Sequence, residues 1–168
     1  ISKIKEIYFK KMKSLKAHEF YFFDDEYFYK LMNLVTNNGW CITAYSNTDL
    51  LGFAIFLNYN KKSTYHLSAT DVSFKHQGIT NSLINKAVEL AKLNGFNSIN
   101  LGGGRTNSKD DGLFKFKFRM SNKQNEYFIY KKVLDEKAYE TILNYWKKEY
   151  PQLNQKYPNY LQRYRLIK

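Results

Sequence analysis

Apolar residues at Ile4, Ile7, Tyr8, Met12 and Leu15 recur near helical spacing, and Lys3, Lys5, Lys10, Lys11, Lys13 and Lys16 fill the positions between them. The pattern predicts a basic amphipathic helix over 1–16. An aromatic run, Phe20-Tyr21-Phe22-Phe23, then leads to Asp24, a good N-cap residue. Tyr27, Phe28, Leu31, Met32 and Val35 predict a second helix, which stops at Asn37-Asn38-Gly39. From there the texture changes. Residues 40–45, 50–57 and 64–70 read as strands, the first two joined as a hairpin at Asn47-Thr48-Asp49. Beyond residue 78, the positions Ile79, Leu83, Ile84, Ala87, Val88, Leu90 and Ala91 share one face of a helix closed by Asn94-Gly95. A short strand follows over 96–101, ended by Gly102-Gly103-Gly104. Residues 110–120 fit two patterns. Phe114, Phe116 and Phe118 alternate as in a strand. Leu113, Phe116, Phe118 and Met120 also share part of a helix, with Asp110 or Asp111 at its start and Lys115 and Arg119 four apart on another face. Residues 127–133 predict a strand, and Asp135 caps a helix through Ala138, Ile142, Leu143 and Trp146. The tail from Pro151 is a short helix or an extended strap. The order ααβββαβαβα places antiparallel strands first and a strand–helix–strand crossover after them. That is a mixed α/β (α+β) sheet flanked by helices, not a doubly wound parallel one.

Composition narrows this picture. A chain of 168 residues with no internal repeat or linker is read as one domain over 1–168. Hydrophobic residues make up 43% and aromatics 18%, enough for a packed core. Lys and Arg total 27 against 15 Asp and Glu, a net charge of +12. That balance favours anionic partners, or is simply a solvated surface. Cys41, alone and set between Trp40 and Ile42, excludes an intrachain disulfide and reads as a core thiol, so a cytoplasmic location is expected. No apolar run approaches the roughly 20 residues that span a bilayer.

The candidate chemistry is concentrated in four places. Lys75-His76-Gln77-Gly78-Ile79-Thr80 links a predicted strand to a predicted helix. A glycine there lets the backbone approach a ligand, and free amides at a helix start attract phosphate. The same residues also make an ordinary βα turn. His66 and Ser68 lie two apart on one strand and are expected on one face. His66 can take a proton near neutral pH or serve as hydrogen-bonded structure. Gly103 sits in a glycine run that ends a strand or shapes a pocket, and Arg105 after it can meet a phosphate. Lys117, or Lys115 one alternation away, is a candidate cation beside Phe116. No cluster has metal-ligand spacing, so no metal is expected.

The glycine turn resembles the phosphate-binding motif of GNAT (Gcn5-related N-acetyltransferase) enzymes, with Thr80 in place of its second small residue. A wider resemblance rests on Phe20-Tyr21-Phe22-Phe23-Asp24-Asp25-Glu26-Tyr27-Phe28, Tyr65-His66-Leu67-Ser68-Ala69-Thr70, Asn100-Leu101-Gly102-Gly103-Gly104 and Leu113-Phe114-Lys115-Phe116-Lys117. In these segments the chain resembles the FemAB/FemX-like proteins of methicillin-resistance type. The resemblance implies a GNAT-like acyl-CoA N-acyltransferase fold with a mixed, mostly antiparallel twisted sheet. It implies the C-terminal half of a larger protein whose N-terminal GNAT-like domain lies outside this sequence. It further implies aminoacyl transfer from aminoacyl-tRNA to an amine of a peptidoglycan precursor, beside the inner face of the membrane, with no bound cofactor. Phe116 would stack on the terminal adenosine of the tRNA, and Lys117 would stabilise the reacting carbonyl. His66 would be the base, with Lys115, Ser68, Gln77, Gly78, Ile79, Thr80, Gly103 and Arg105 lining the substrate site. The alternatives are an acyl-CoA-dependent N-acetyltransferase of a sugar or peptide amine and a non-catalytic basic binding domain.

Overall fold

The structure, a computed structural model, describes residues 1–74, 78–106, 108–121 and 123–167. Within the span predicted as one domain, the chain divides into two compact units at residues 122 and 123.

The first unit has three layers. Helices α1 (Ser2–Ser14) and α2 (Asp25–Asn38), joined through a 3-10 turn at Glu19–Tyr21, cover one face of a four-stranded sheet. The strands are β1 (Gly39–Ser46), β2 (Asp49–Tyr59), β3 (Lys62–Thr70) and β4 (Ser98–Asn100), in that spatial order. Helices α3 (Ile79–Leu93) and α4 (Gly112–Phe118) pack on the other face. The first three strands are antiparallel, and β4 joins β3 in parallel after the α3 crossover, as predicted.

Strand β2 is the centre of this arrangement. Phe53, Ala54, Ile55 and Phe56 are all fully buried. By strand alternation Phe53 and Ile55 enter the cluster under α1 and α2, while Ala54 and Phe56 enter the one under α3. Phe28, Leu31 and Val35 of α2 and Ile4, Ile7 and Tyr8 of α1 complete the first cluster. Burying a side chain of this size contributes about 1.5–3 kcal/mol.

Local signals set the boundaries. The Asp24 Oδ1 accepts the Tyr27 amide at 2.8 Å and starts α2. Gly39, expected as a helix stop, ends α2 in extended backbone and begins β1. A Cβ there would lie 2.5 Å from the Phe56 carbonyl oxygen, so the residue is glycine for close packing and not for a left-handed cap. The strand predicted over 96–101 reduces to Ser98–Asn100. The two patterns over 110–120 resolve in favour of helix α4, because Asp111 Oδ1 accepts the Phe114 amide at 2.9 Å and fixes the first turn.

The second unit holds α5 (Glu136–Glu149), α6 (Pro151–Lys156) and a 3-10 turn at Arg163–Arg165. Its small core is Leu143 and Trp146. The Trp146 Nε1 donates to the Leu166 carbonyl at 2.7 Å, and Tyr139 Oη donates to that of Leu161 at 2.9 Å. The tail therefore packs back onto α5. The strand predicted over 127–133 does not form: the segment has no strand assignment, and Tyr127, Phe128 and Tyr130 are each more than 80% exposed. A strand needs a ladder partner, and the described residues of this unit otherwise make only helices and turns.

These contacts separate two glycine substitutions. Gly39→Ala drives a Cβ against backbone and is expected to destabilise by about 1–3 kcal/mol. Gly112→Ala meets open space at the first turn of α4 and is expected to be neutral or stabilising, by about 0.4–1 kcal/mol. Urea denaturation of the two variants checks the order.

Candidate active site

β3 and β4 pair over Lys62↔Ser98, Ser63↔Ile99 and Thr64↔Asn100, and then part. Two local features cause this. At Asn100, the side-chain Oδ1 accepts the Gly102 amide at 2.8 Å, in place of a ladder partner, and Gly102 adopts φ +70. The chain turns away from the sheet there. On β3, the register passes from Ile55↔Leu67 to Phe56↔Tyr65, which leaves His66 as the extra residue of a β-bulge. A bulge increases strand twist and redirects side chains.

The bulge also corrects the expectation that His66 and Ser68 share a face. The period of two breaks at His66. Its Nε2 lies 2.9 Å from the Tyr27 hydroxyl of α2, on the α1–α2 side. Ser68 pairs in register with Ala54, on the α3 side, and its hydroxyl is hydrogen-bonded to that of Tyr65.

Between the parted strands lies Lys117. Its Nζ donates to the Gly103 carbonyl at 2.9 Å and sits 5.7 Å from the centroid of the Tyr65 ring. Burial holds its pKa below the ordinary lysine value, while the Asp111 carboxylate acts the other way. Burial likewise pushes the Tyr65 hydroxyl up, against the hydrogen bond with Ser68. Lys115, the other lysine of the expected pair, points elsewhere and pairs with Asp110 at 2.9 Å on the outer surface. Phe116 packs into the cluster under α3.

Asp111 organises the loop that carries this lysine. One carboxylate oxygen caps α4, and the other accepts the Arg105 amide at 3.1 Å, the Thr106 amide at 3.2 Å and the Thr106 hydroxyl at 3.3 Å. These hydrogen bonds, that from Phe114 foremost, hold the Asp111 carboxyl below the usual carboxylate range. Gly104 must be glycine for the same reason, since a Cβ would fall 2.6 Å from Asp111 Oδ1. The side chain of Arg105 is exposed.

The glycine turn lies beyond the end of β3. Gly78 is the N-cap of α3 with φ +106, a conformation that favours glycine, and among the described residues no side chain caps the helix there. A Cβ at Gly78 would meet nothing within 4 Å among the described residues. Ile79 is buried and Thr80 half-buried. Ile79 lies close to Gly52, which is paired with Thr70 at the far end of β3. The start of α3 therefore faces the part of β3 that β4 has left. Gln77, with Lys75 and His76, lies outside the described residues.

Lys117 thus links Gly103 to the Tyr65–Ser68 pair on one side of the sheet, and His66 lies on the other. Sequence reasoning missed Tyr65 and Tyr27, the hydroxyl partners of Ser68 and His66. Only the bulge brings them into place, and no periodicity encodes it.

The Acetyltransferase (GNAT) family matches the chain over residues 3–118. No curated protein matches. Among solved structures, one similar fold is the PaiA N-acetyltransferase from Thermoplasma acidophilum in complex with coenzyme A (TM-score 0.54, 18% identity, 71% of this chain and 80% of that chain). Another is an aminoglycoside acetyltransferase from an uncultured soil metagenomic sample in complex with sisomicin (TM-score 0.57, 17% identity, 80% and 88%). A third is a ribosomal-protein-alanine N-acetyltransferase from Brucella melitensis (TM-score 0.57, 12% identity, 79% and 92%).

The His66 environment makes a pH prediction. Burial holds its pKa below the ordinary histidine value of 6.5, so the unfolded chain binds the proton more readily than the folded one. Stability is full above about pH 6.5 and falls as the pH drops from there towards the folded pKa. His66→Gln is expected to flatten that slope, which thermal melts between pH 5 and 8 measure.

Proposed function

The chain belongs to the Acetyltransferase (GNAT) family over residues 3–118, and from that premise we propose that it is an N-acyltransferase taking its acyl group from coenzyme A and giving it to a primary amine. The observation that carries this reading is the parting of β3 and β4 beside the uncapped start of α3. From Tyr65 to Thr70, β3 has no strand partner on its β4 side among the described residues, so its backbone groups can receive the amide-bearing arm of coenzyme A as they would another strand. The 15-residue α3 offers its first amides, beside a left-handed Gly78, to the pyrophosphate. The two ends of one ligand are thereby served by consecutive elements.

The acyl carbonyl would then lie near the bulge. Attack by the amine places negative charge on that oxygen, and the Lys117 ammonium and the Tyr65–Ser68 hydroxyl pair are the donors available to stabilise it. Collapse of the intermediate breaks the C–S bond, and the thiolate takes the proton lost by the nitrogen. Among the described residues Lys117 is held by a carbonyl and a ring face, with the Asp111 carboxylate acting on it without an ion pair.

A second reading keeps the same chemistry and changes the donor to aminoacyl-tRNA and the acceptor to a peptidoglycan precursor, as in the FemAB/FemX-like proteins. Lys117, half-buried in the cleft, favours it. The packing of Phe116 into the core speaks against it, because the stacking partner for the terminal adenosine is then occupied. No helix among the described residues is long and apolar enough to cross a membrane, and we place the activity in the cytoplasm, where both donors occur.

Calorimetric titration with acetyl-CoA and with a charged tRNA tests the donor. Saturable binding of acetyl-CoA, with tRNA bound only as a salt-sensitive polyanion, supports the first reading; the reverse result overturns it. Lys117→Ala is expected to lower the acyl-transfer rate about 100-fold, while acetyl-CoA affinity changes far less.

A further inference from the structure

At the end of the sheet remote from Gly78, three segments meet around an open cavity of about 530 Å3. They are the last turn of α2 with the start of β1, the hairpin from β2 to β3, and the loop from α3 to β4. Seven residues of β2 separate Tyr59 in that hairpin from Gly52 beside Ile79, roughly 23 Å at the ordinary strand rise. The cavity shares no lining residue with the cleft at Lys117. Its volume falls within the roughly 300–1,000 Å3 of small-molecule sites.

The walls are fixed by the fold. Asn60 and Lys61 turn the hairpin with positive φ, at +45 and +58, which matches the two-residue turn between tightly paired strands. The Lys61 carbonyl accepts the Asn97 amide at 2.7 Å, and its Nζ donates to the Asn94 carbonyl at 3.1 Å, so hairpin and loop are tied together. Trp40 and Phe96, both half-buried, form the base, with ring centroids 5.0 Å apart. Tyr59 stands at the rim, 86% exposed.

Five asparagines line this cavity and, among the described residues, no carboxylate does. Its one cation, Lys61, is spent on Asn94 and on the face of Phe96 at 5.8 Å. In a chain of net charge +12 that makes a neutral patch. Three of the carboxamides are half used by the fold. Asn37 and Asn94 donate through Nδ2 to the Asn33 and Leu90 carbonyls, at 3.3 and 2.7 Å, which leaves each Oδ1 as an acceptor. Asn58 Oδ1 accepts from the buried Ser63 hydroxyl at 2.7 Å, which leaves its Nδ2 as a donor. Asn38 and Asn60 make no side-chain hydrogen bond among the described residues.

We propose that this cavity binds a neutral carbohydrate, as a second site apart from the acyl-transfer cleft. A sugar hydroxyl both donates and accepts, and carboxamides meet both needs. The C–H face of a pyranose is apolar and weakly positive, and it lies against the negative face of an aromatic ring. An anion finds no uncommitted cation among the lining residues, and an ammonium finds no carboxylate. The 56° tilt between Trp40 and Phe96 offers no parallel pair to hold a flat base. Carboxamides already oriented by the fold lower the ordering cost of binding. Such a site would hold the domain on a glycan while the far end of the sheet stays free, whichever acyl donor is used there.

Nuclear magnetic resonance on the whole chain tests the site, with cellobiose, maltose and N,N′-diacetylchitobiose as probes and no acyl donor present. The Trp40 indole and the Asn38, Asn58 and Asn60 carboxamide signals are followed. At least one of the three sugars is expected to give saturable shifts at these groups. Adenosine, the flat control, should bind at least about tenfold more weakly. Tyr59→Ala and Asn60→Gly should each weaken sugar binding about tenfold, with the melting temperature near wild type. Glycine at position 60 keeps the left-handed turn, so that variant is expected to fold. No saturable shift with any of the three sugars, shifts confined to the Lys117 cleft, adenosine bound as tightly as the sugars, or unchanged sugar affinity in both variants each overturns the proposal.

Discussion

The separation of β3 from β4 is the constraint from which the candidate site follows. It is made by a side chain and a register fault. Asn100 spends its carboxamide on the Gly102 amide, and His66 is inserted as an unpaired residue opposite β2. The first turns one strand away and the second twists the other. Everything placed nearby answers to the resulting gap. Lys117 spans it towards Gly103, Tyr65 and Ser68 line its wall, and α3 begins at its far end. A sheet that stayed paired through residue 70 would have no room for a reaction at its edge.

The bulge has a second effect, which links the two faces. Regular alternation would bury His66 and Ser68 together. Inserting one residue sends the histidine towards α2 and leaves the serine hydroxyl facing α3. The sheet is thereby chemically double-sided at one position, with a cation and hydroxyls on one side and an imidazole with phenols on the other.

Much of the fold is legible in the chain because burial and capping leave plain marks. The 3.6-residue period of Phe28, Leu31 and Val35, and Asp24 before them, places α2 to within a residue. The alternating run over 50–57 places the central strand. What the sequence conceals is tertiary. Residues 127–133 have every attribute of a strand, but a strand is a property of two segments, and no partner strand exists among the described residues of their unit. The triplet Phe114, Phe116 and Phe118 alternates convincingly, yet the Asp111 cap outweighs alternation over so short a stretch. In the candidate site, Lys117 and Gly78 stand out in the chain by residue type alone. The partition of His66 from Ser68 was not, since one unpaired residue leaves no compositional trace.

Asp111 has a consequence for how this region breathes. A single carboxylate joins the start of α4 to the backbone of Arg105 and Thr106, and α4 is only seven residues long. Such a segment is a small cooperative unit, able to open well before the strands unzip. Because Lys117 travels with α4, the cleft's cation and the loop opposite it would leave together. The protein would then alternate between an assembled and a dispersed cleft while its sheet stays intact, with one side chain setting the balance.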